Sequence, residues 1–328
     1  MGPIGVSIGL TLKKKTLSDI NIIGTSRNRE SVSHALKVGA IDKAESNLKT
    51  ATNKSQLVIL DTPISETQEI MEALGSILID GCVVTDTGNS KVSSINWATE
   101  YLRDGINFVG GHPLIKKRMQ TIEEADSTVF DGIDYCITPS KSASKQSVET
   151  VVNIANLLGA KPFFLDPHEH DSYAAAMNYL PIVLSSAFVT ATSKSNSWRE
   201  MHRLAASAFG EFSYLATNHP DDNSAMCIEN TDSLLHWIDQ MINELCTYRN
   251  NIKENSDSLL DSFVEAWIAR SRWENNTVIQ NQSTDMPSSG ETMASAFVGK
   301  HLVERYRQMM GIDKKQKPKS SSTKKLRP

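Results

Sequence analysis

At 328 residues, with 39% hydrophobic and 22% charged residues, the chain has ordinary globular composition and length for two domains. Its formal net charge of −4 gives no reason to expect nucleic acid or an acidic membrane as partner, and no apolar run approaches the roughly 20 residues of a membrane span. Cys82, Cys136, Cys227 and Cys246 lie far apart without a CxxC pair, which argues against a zinc site or a disulfide framework and suits reduced thiols in a cytoplasmic protein.

The chain opens Met1-Gly2-Pro3-Ile4-Gly5-Val6-Ser7, which reads as the end of a G-x-G-x-x-G loop with Gly2 and Gly5 as its second and third glycines. Gly2 lets the backbone approach a pyrophosphate, Gly5 lets helix and strand pack closely, and the helix N-terminus through Pro3 and Ile4 offers oriented N–H donors. The first glycine and its strand are missing, so Met1 is expected to be an internal methionine of a longer chain. Ile20–Thr25 reads as the next strand and Arg29–Val38 as a helix ending at Gly39. The ribose-reading position, about 20 residues after Gly5, holds Ser26 rather than a carboxylate, and Arg27 and Arg29 follow. That pattern favours the 2′-phosphate of NADP over NAD.

Gln56–Asp61 is an apolar strand closed by Thr62-Pro63, and a helix follows over about 65–78 with Ile70, Leu74 and Ile77 at helical spacing. Cys82–Asp86, Ile106–Gly110 and Tyr135–Thr138 are further strands, and Ser90–Leu102 and Ser147–Leu158 helices; Lys161–Leu165 reads as a last edge strand. Short apolar strands alternating with helices predict a parallel Rossmann-like α/β sheet. After Asp166 strand-like runs stop. Helical patterns cover His170–Thr192, Trp198–Phe209, Asp221–Asn250 and Ser256–Trp273. The expected division is a dinucleotide-binding domain over 1–166, an all-α substrate and dimerisation domain over 167–275, and an extension over 276–328 with a basic tail. The Ala174–Ala191 helix is too apolar for one small bundle to cover, which predicts a homodimer.

Several segments together resemble the prephenate and arogenate dehydrogenase family of tyrosine biosynthesis. They are Gly2–Ser7, Leu57–Ser65, Val84–Lys91, Phe108-Val109-Gly110-Gly111-His112-Pro113, Ala125–Phe130, and His170-Asp171 leading into Leu180-Pro181, all in family order. The resemblance implies oxidative decarboxylation of a small-molecule acid. The ring hydroxyl is deprotonated while its carbon gives up hydride to a nicotinamide nucleotide, and Thr62 and Pro63 flank the cofactor. It makes His112 the proton acceptor, read here as standing on a loop after a strand, and Asn89 a hydrogen-bond partner for it.

The sequence departs from the family where substrate should be held. Asn89 replaces a serine, Ile115-Lys116 replaces a small Ala-Gly pair, and Asn178-Tyr179-Leu180-Pro181-Ile182 replaces a Ser-His-Leu-Pro-His pattern. Ser213-Tyr214 stands where the family carries a Thr-Arg pair whose arginine grips a substrate carboxylate. Tyr214 cannot do that, so Lys116, Lys117 or Arg118 must supply the charge, or the substrate is another hydroxy acid. A non-catalytic nucleotide-binding dimer is the third alternative. The His168-Glu169-His170-Asp171 cluster lacks a third identified ligand, so no metal is expected, and Asp166 or Asp171 reads as a helix cap.

Overall fold

The computed structural model describes residues 1–15 and 20–275; the C-terminal extension and its basic tail lie outside the described residues. The chain divides into two compact units, 1–239 and 240–328. The first opens with helix α1 (Pro3–Lys15), which buries Val6, Ile8 and Leu12. Proline suits the first turn because its missing N–H has no helical partner there. Close approach to the next segment falls to Gly9 rather than Gly5: a Cβ on Gly9 would run into the Ala40 carbonyl oxygen, whereas one on Gly5 would meet the Asp61 side chain.

A short strand β1 (Ile23–Gly24) pairs in parallel with β2 (Lys43–Ala44), with helix α2 (Arg29–Lys37) between them. Asn28 caps α2 by accepting from the Glu30 and Ser31 amides, and the chain leaves it through Gly39 at φ +76°. Helix α3 (Leu48–Ala51) leads to β3 (Leu57–Leu60), α4 (Ile64–Gly75), β4 (Val83–Asp86), α5 (Val92–Tyr101) and β5 (Asn107–Pro113). Then come β6 (Asp134–Pro139), α6 (Lys145–Leu158) and β7 (Lys161–Phe164).

These form a five-stranded sheet in the order β3-β4-β5-β6-β7, with β7 at one edge as expected. The sheet is not wholly parallel. β5 and β6 run antiparallel, from Val109 opposite Pro139 to Pro113 opposite Tyr135. That ladder carries β5 past Gly110, where the sequence pattern ended it, so His112 sits within a strand and not on a loop. Alternation along β5 serves two faces. Val109 packs with Ile8, Leu12, Val151 and Leu158 on the α1–α6 side. Phe108 packs with Met71, Leu74, Val84 and Ala98 on the α4–α5 side. A sheet covered on both faces is the α/β arrangement.

Beyond Phe164 the described residues of the first unit are helical or connecting. Helix α7 (Pro167–Ala174) starts on Asp166, whose carboxylate accepts from the His168 and Glu169 amides. A π-helical turn over Ala175–Tyr179 joins it to α8 (Leu180–Ser193). This continuous run, Pro167–Ser193, is long and apolar enough to cross a membrane by length and composition alone, and it carries the buried polar pair His170 and Asp171. Helices α9 (Trp198–Met201), α10 (Ser207–Ser213), α11 (Pro220–Glu229) and α12 (Thr231–Lys253) follow, with a 3₁₀ turn over Tyr214–Thr217. In the second unit the end of α12 and helix α13 (Ser258–Glu274) form a hairpin. The Tyr248 hydroxyl donates to the Ser262 carbonyl at 3.3 Å, and its ring meets Phe263 edge-on.

Candidate active site

His112 is half-buried at the end of β5, and its Nδ1 lies 2.8 Å from Nε2 of His170 on α7. His170 is buried, and its Nδ1 lies 2.7 Å from Oδ1 of Asp171. Asp171 is anchored in turn at the start of α5, where Oδ1 accepts from the Lys91 amide at 2.8 Å and Oδ2 from the Val92 amide at 2.9 Å. Oriented N–H groups at a helix N-terminus make a complementary seat for a carboxylate's oxygens. The bonding then assigns the tautomers. His170 donates from Nδ1 to Asp171, so its Nε2 accepts, and His112 donates from Nδ1 to it. The lone pair of His112 is therefore on Nε2. Desolvation first, with the Lys91 cation close by, holds His112 well below its ordinary value of 6.5, so it is an unprotonated base at neutral pH.

The strand carrying His112 is fixed by a second buried network. Lys91 and Asp86 form an ion pair with side chains 0% and 4% exposed. Lys91 Nζ also donates to the Gly111 carbonyl at 2.8 Å, while Asp86 Oδ1 accepts from the Gly111 amide at 3.0 Å and Oδ2 from Ser94 at 3.2 Å. Asn230 donates to the Asp171 carbonyl at 2.6 Å, tying the chain after α11 to α7. Asp166 and Asp171 were both read as caps; Asp166 caps its own helix, whereas Asp171 caps α5, 79 residues away in sequence. His168 is exposed and stands apart from this relay.

Several expected contacts are rearranged. The partner of His112 is His170, not Asn89, whose side chain meets the Tyr179 hydroxyl at 3.3 Å and the Met226 sulfur at 3.9 Å. Tyr179 is fully buried and gives its hydroxyl to the Asn89 carbonyl at 2.6 Å, which makes it a support for the Gly88-Asn89 turn rather than a substrate contact. Asn178 is half-buried in the π-helical turn. Among the three basic candidates, Lys117 is drawn into an ion pair with Asp126 at 3.1 Å and Lys116 is exposed. Arg118 lies over the Tyr214 ring, a cation–π arrangement that holds the guanidinium in place.

Arg118 lines an open crevice of about 680 Å³ together with Ile4, Thr62, Pro63, Asn89 and Asn218. Among the described residues of its wall it is the one Lys or Arg. At the crevice's edge the α1 N-terminus already seats an anion, since Asp61 Oδ2 accepts from both the Gly2 and Gly5 amides. Glycines at these positions leave room for oxygens to approach, so the residues fit a nucleotide's phosphates. After β1, Ser26 accepts from the Asn28 amide, and Arg27 is exposed and bridges to Glu69 at 2.7 Å and Glu66 at 3.6 Å.

His170, Asp171, Lys91 and Asp86 escaped prediction as site residues. His170 and His112 are 58 residues apart, and only the adjacency of His170 and Asp171 hinted at a charge-oriented imidazole.

Residues 8–163 match the family described as "Prephenate dehydrogenase, nucleotide-binding domain", and residues 166–267 match "Prephenate dehydrogenase, dimerization domain". The prephenate dehydrogenase of Bacillus subtilis is 28% identical over 269 residues, 81% of this chain and 72% of that protein. The cyclohexadienyl dehydrogenase of Zymomonas mobilis is 24% identical over 239 residues, 72% of this chain and 80% of its own length. In fold, the chain is similar to the A. aeolicus prephenate dehydrogenase solved with hydroxyphenyl propionate and NAD+ (TM-score 0.75, 24% identity, 82% of this chain and 94% of that one). It is also similar to Synechocystis arogenate dehydrogenase (TM-score 0.67, 23% identity, 83% and 97%). The chain belongs to the prephenate and arogenate dehydrogenase family, the nicotinamide-nucleotide oxidoreductases of tyrosine biosynthesis.

Proposed function

We propose that the chain oxidises and decarboxylates prephenate or arogenate with NADP, using His112 as base. The observation that carries this is the His112–His170–Asp171 relay, which leaves an unprotonated Nε2 at the end of β5. A bound nicotinamide nucleotide supplies the hydride acceptor. His112 takes the proton of the ring hydroxyl at Nε2. His170 and Asp171 keep it in the required tautomer and stabilise the imidazolium that results. Buried Lys91 and Asp86 fix the strand so that the imidazole does not wander.

Arg118 takes the role of carboxylate grip, with Tyr214 as the platform beneath it. A guanidinium can bind a carboxylate with two parallel hydrogen bonds, which the Tyr214 phenol cannot. Lys116 and Lys117 precede it on the same loop, Lys116 exposed and Lys117 paired with Asp126. Asn89 and Asn178 supply neutral polar groups. In the adenosine subsite Ser26 leaves space for a 2′-phosphate, and Arg27 exchanges Glu69 and Glu66 for it. Gly2, Pro3, Ile4, Gly5, Thr62 and Pro63 border the rest of the nucleotide.

The division between nucleotide-binding and helical domains is placed near Asp166, and the helical domain forms a homodimer with a partner of the same chain. The four cysteines are free and Cys246 is exposed, which supports a reducing cytoplasm. Titration with NADP+ and NAD+ separately, on the unaltered chain and on Arg27→Ala, tests the cofactor choice. NADP+ should bind more tightly, and Arg27→Ala should weaken NADP+ alone. Equal loss for both nucleotides would remove the 2′-phosphate assignment.

A further inference from the structure

The mechanism leaves one charged group beside the nucleotide unused. Asp61 follows β3, and its Oδ2 accepts from the Gly2 amide at 2.8 Å and the Gly5 amide at 2.6 Å. Its other oxygen accepts from the Thr87 hydroxyl at 3.1 Å. We propose that Asp61 occupies in the free enzyme the anion seat that the cofactor's pyrophosphate takes, so that carboxylate and cofactor exclude one another. The inference rests on the nicotinamide-nucleotide reading of the crevice.

Both groups want the same donors. The first amides of a 13-residue helix point at one oxygen, and a built Cβ on Gly2 or Gly5 would stand 3.1 or 2.9 Å from it. A phosphate oxygen cannot enter that position while the carboxylate is there. Two anions within a few ångströms also repel strongly in a half-buried setting. The cofactor must therefore swing Asp61 off the helix, giving up its two amide bonds, and part of its binding energy goes into that exchange. Asp61 thus sets cofactor affinity without touching substrate.

Calorimetric titration of the full chain with NADP+ and NAD+, alongside Asp61→Asn and Asp61→Ala, tests this. Both variants should bind the dinucleotide on the order of tenfold more tightly, the effect of removing one competing charge-assisted contact. In the ligand-free state their Tm should fall, because α1 loses its anion. A purely structural Asp61 would lower Tm without tightening binding. In the unaltered chain, the Asp61 carboxyl carbon resonance should shift when the dinucleotide is added. Unchanged or weaker binding by the variants, or a bound cofactor that leaves that resonance in place, overturns the proposal alone. Absence of dinucleotide binding in all three proteins overturns it together with the nucleotide reading.

Discussion

At the scale of single residues, the base is made by its neighbours. An isolated imidazole would be partly protonated near neutral pH. His112 stays neutral because its ring is desolvated and because the Lys91 cation disfavours a further positive charge. The acid limb of kcat/KM is therefore expected well below 6.5, and a pH–rate profile checks it. The same depression links pH to stability. The unfolded chain takes up a proton at His112 before the folded one does, so stability falls as pH drops from 6.5 toward the lowered value. Asp171→Asn removes the charge that orients His170 and should lower kcat by about a hundredfold or more. Stopped-flow measurement of kcat and the cofactor Kd checks the split, and the Kd should hold.

At the scale of elements, two close fits hold the site. The Gly9 Cα faces the Ala40 carbonyl, so Gly9→Ala must push α1 away from the chain leading into β2. Equilibrium urea unfolding should show a loss of about 1–3 kcal/mol, in the range of an overpacked contact. Lys91→Ala strands Asp86 in the core without its counter-charge and should cost about 3–5 kcal/mol by the same measurement. The strands and helices themselves were largely legible. Leu57–Leu60 and Val83–Asp86 stand out as apolar runs, and α2 and α6 end at glycines that adopt left-handed backbone. The extension of β5 to Pro113 was not legible, because it depends on pairing with an antiparallel strand that begins at Asp134. His112 and the glycine loop could be read from motif and order. Their partners His170 and Asp61 could not, since each comes from a distant segment and is joined only by folding.

At the scale of the whole molecule, exposed apolar side chains in the helical part call for a partner. Met177 is 73% exposed, Leu204 86% and Ile228 67%, on a chain whose residues 166–267 match a dimerization domain. Light scattering at micromolar concentration should report twice the monomer mass, and a monomer would contradict the assignment. The central claim concerns chemistry, and steady-state reduction of NADP+ by the unaltered chain and by His112→Asn, with prephenate and arogenate supplied in parallel, tests it most directly. Reduction with one of the two acids, nearly abolished in His112→Asn while that variant still binds NADP+, is the predicted result; equal turnover in both proteins, or tight nucleotide binding with no reduction by either acid, would contradict it.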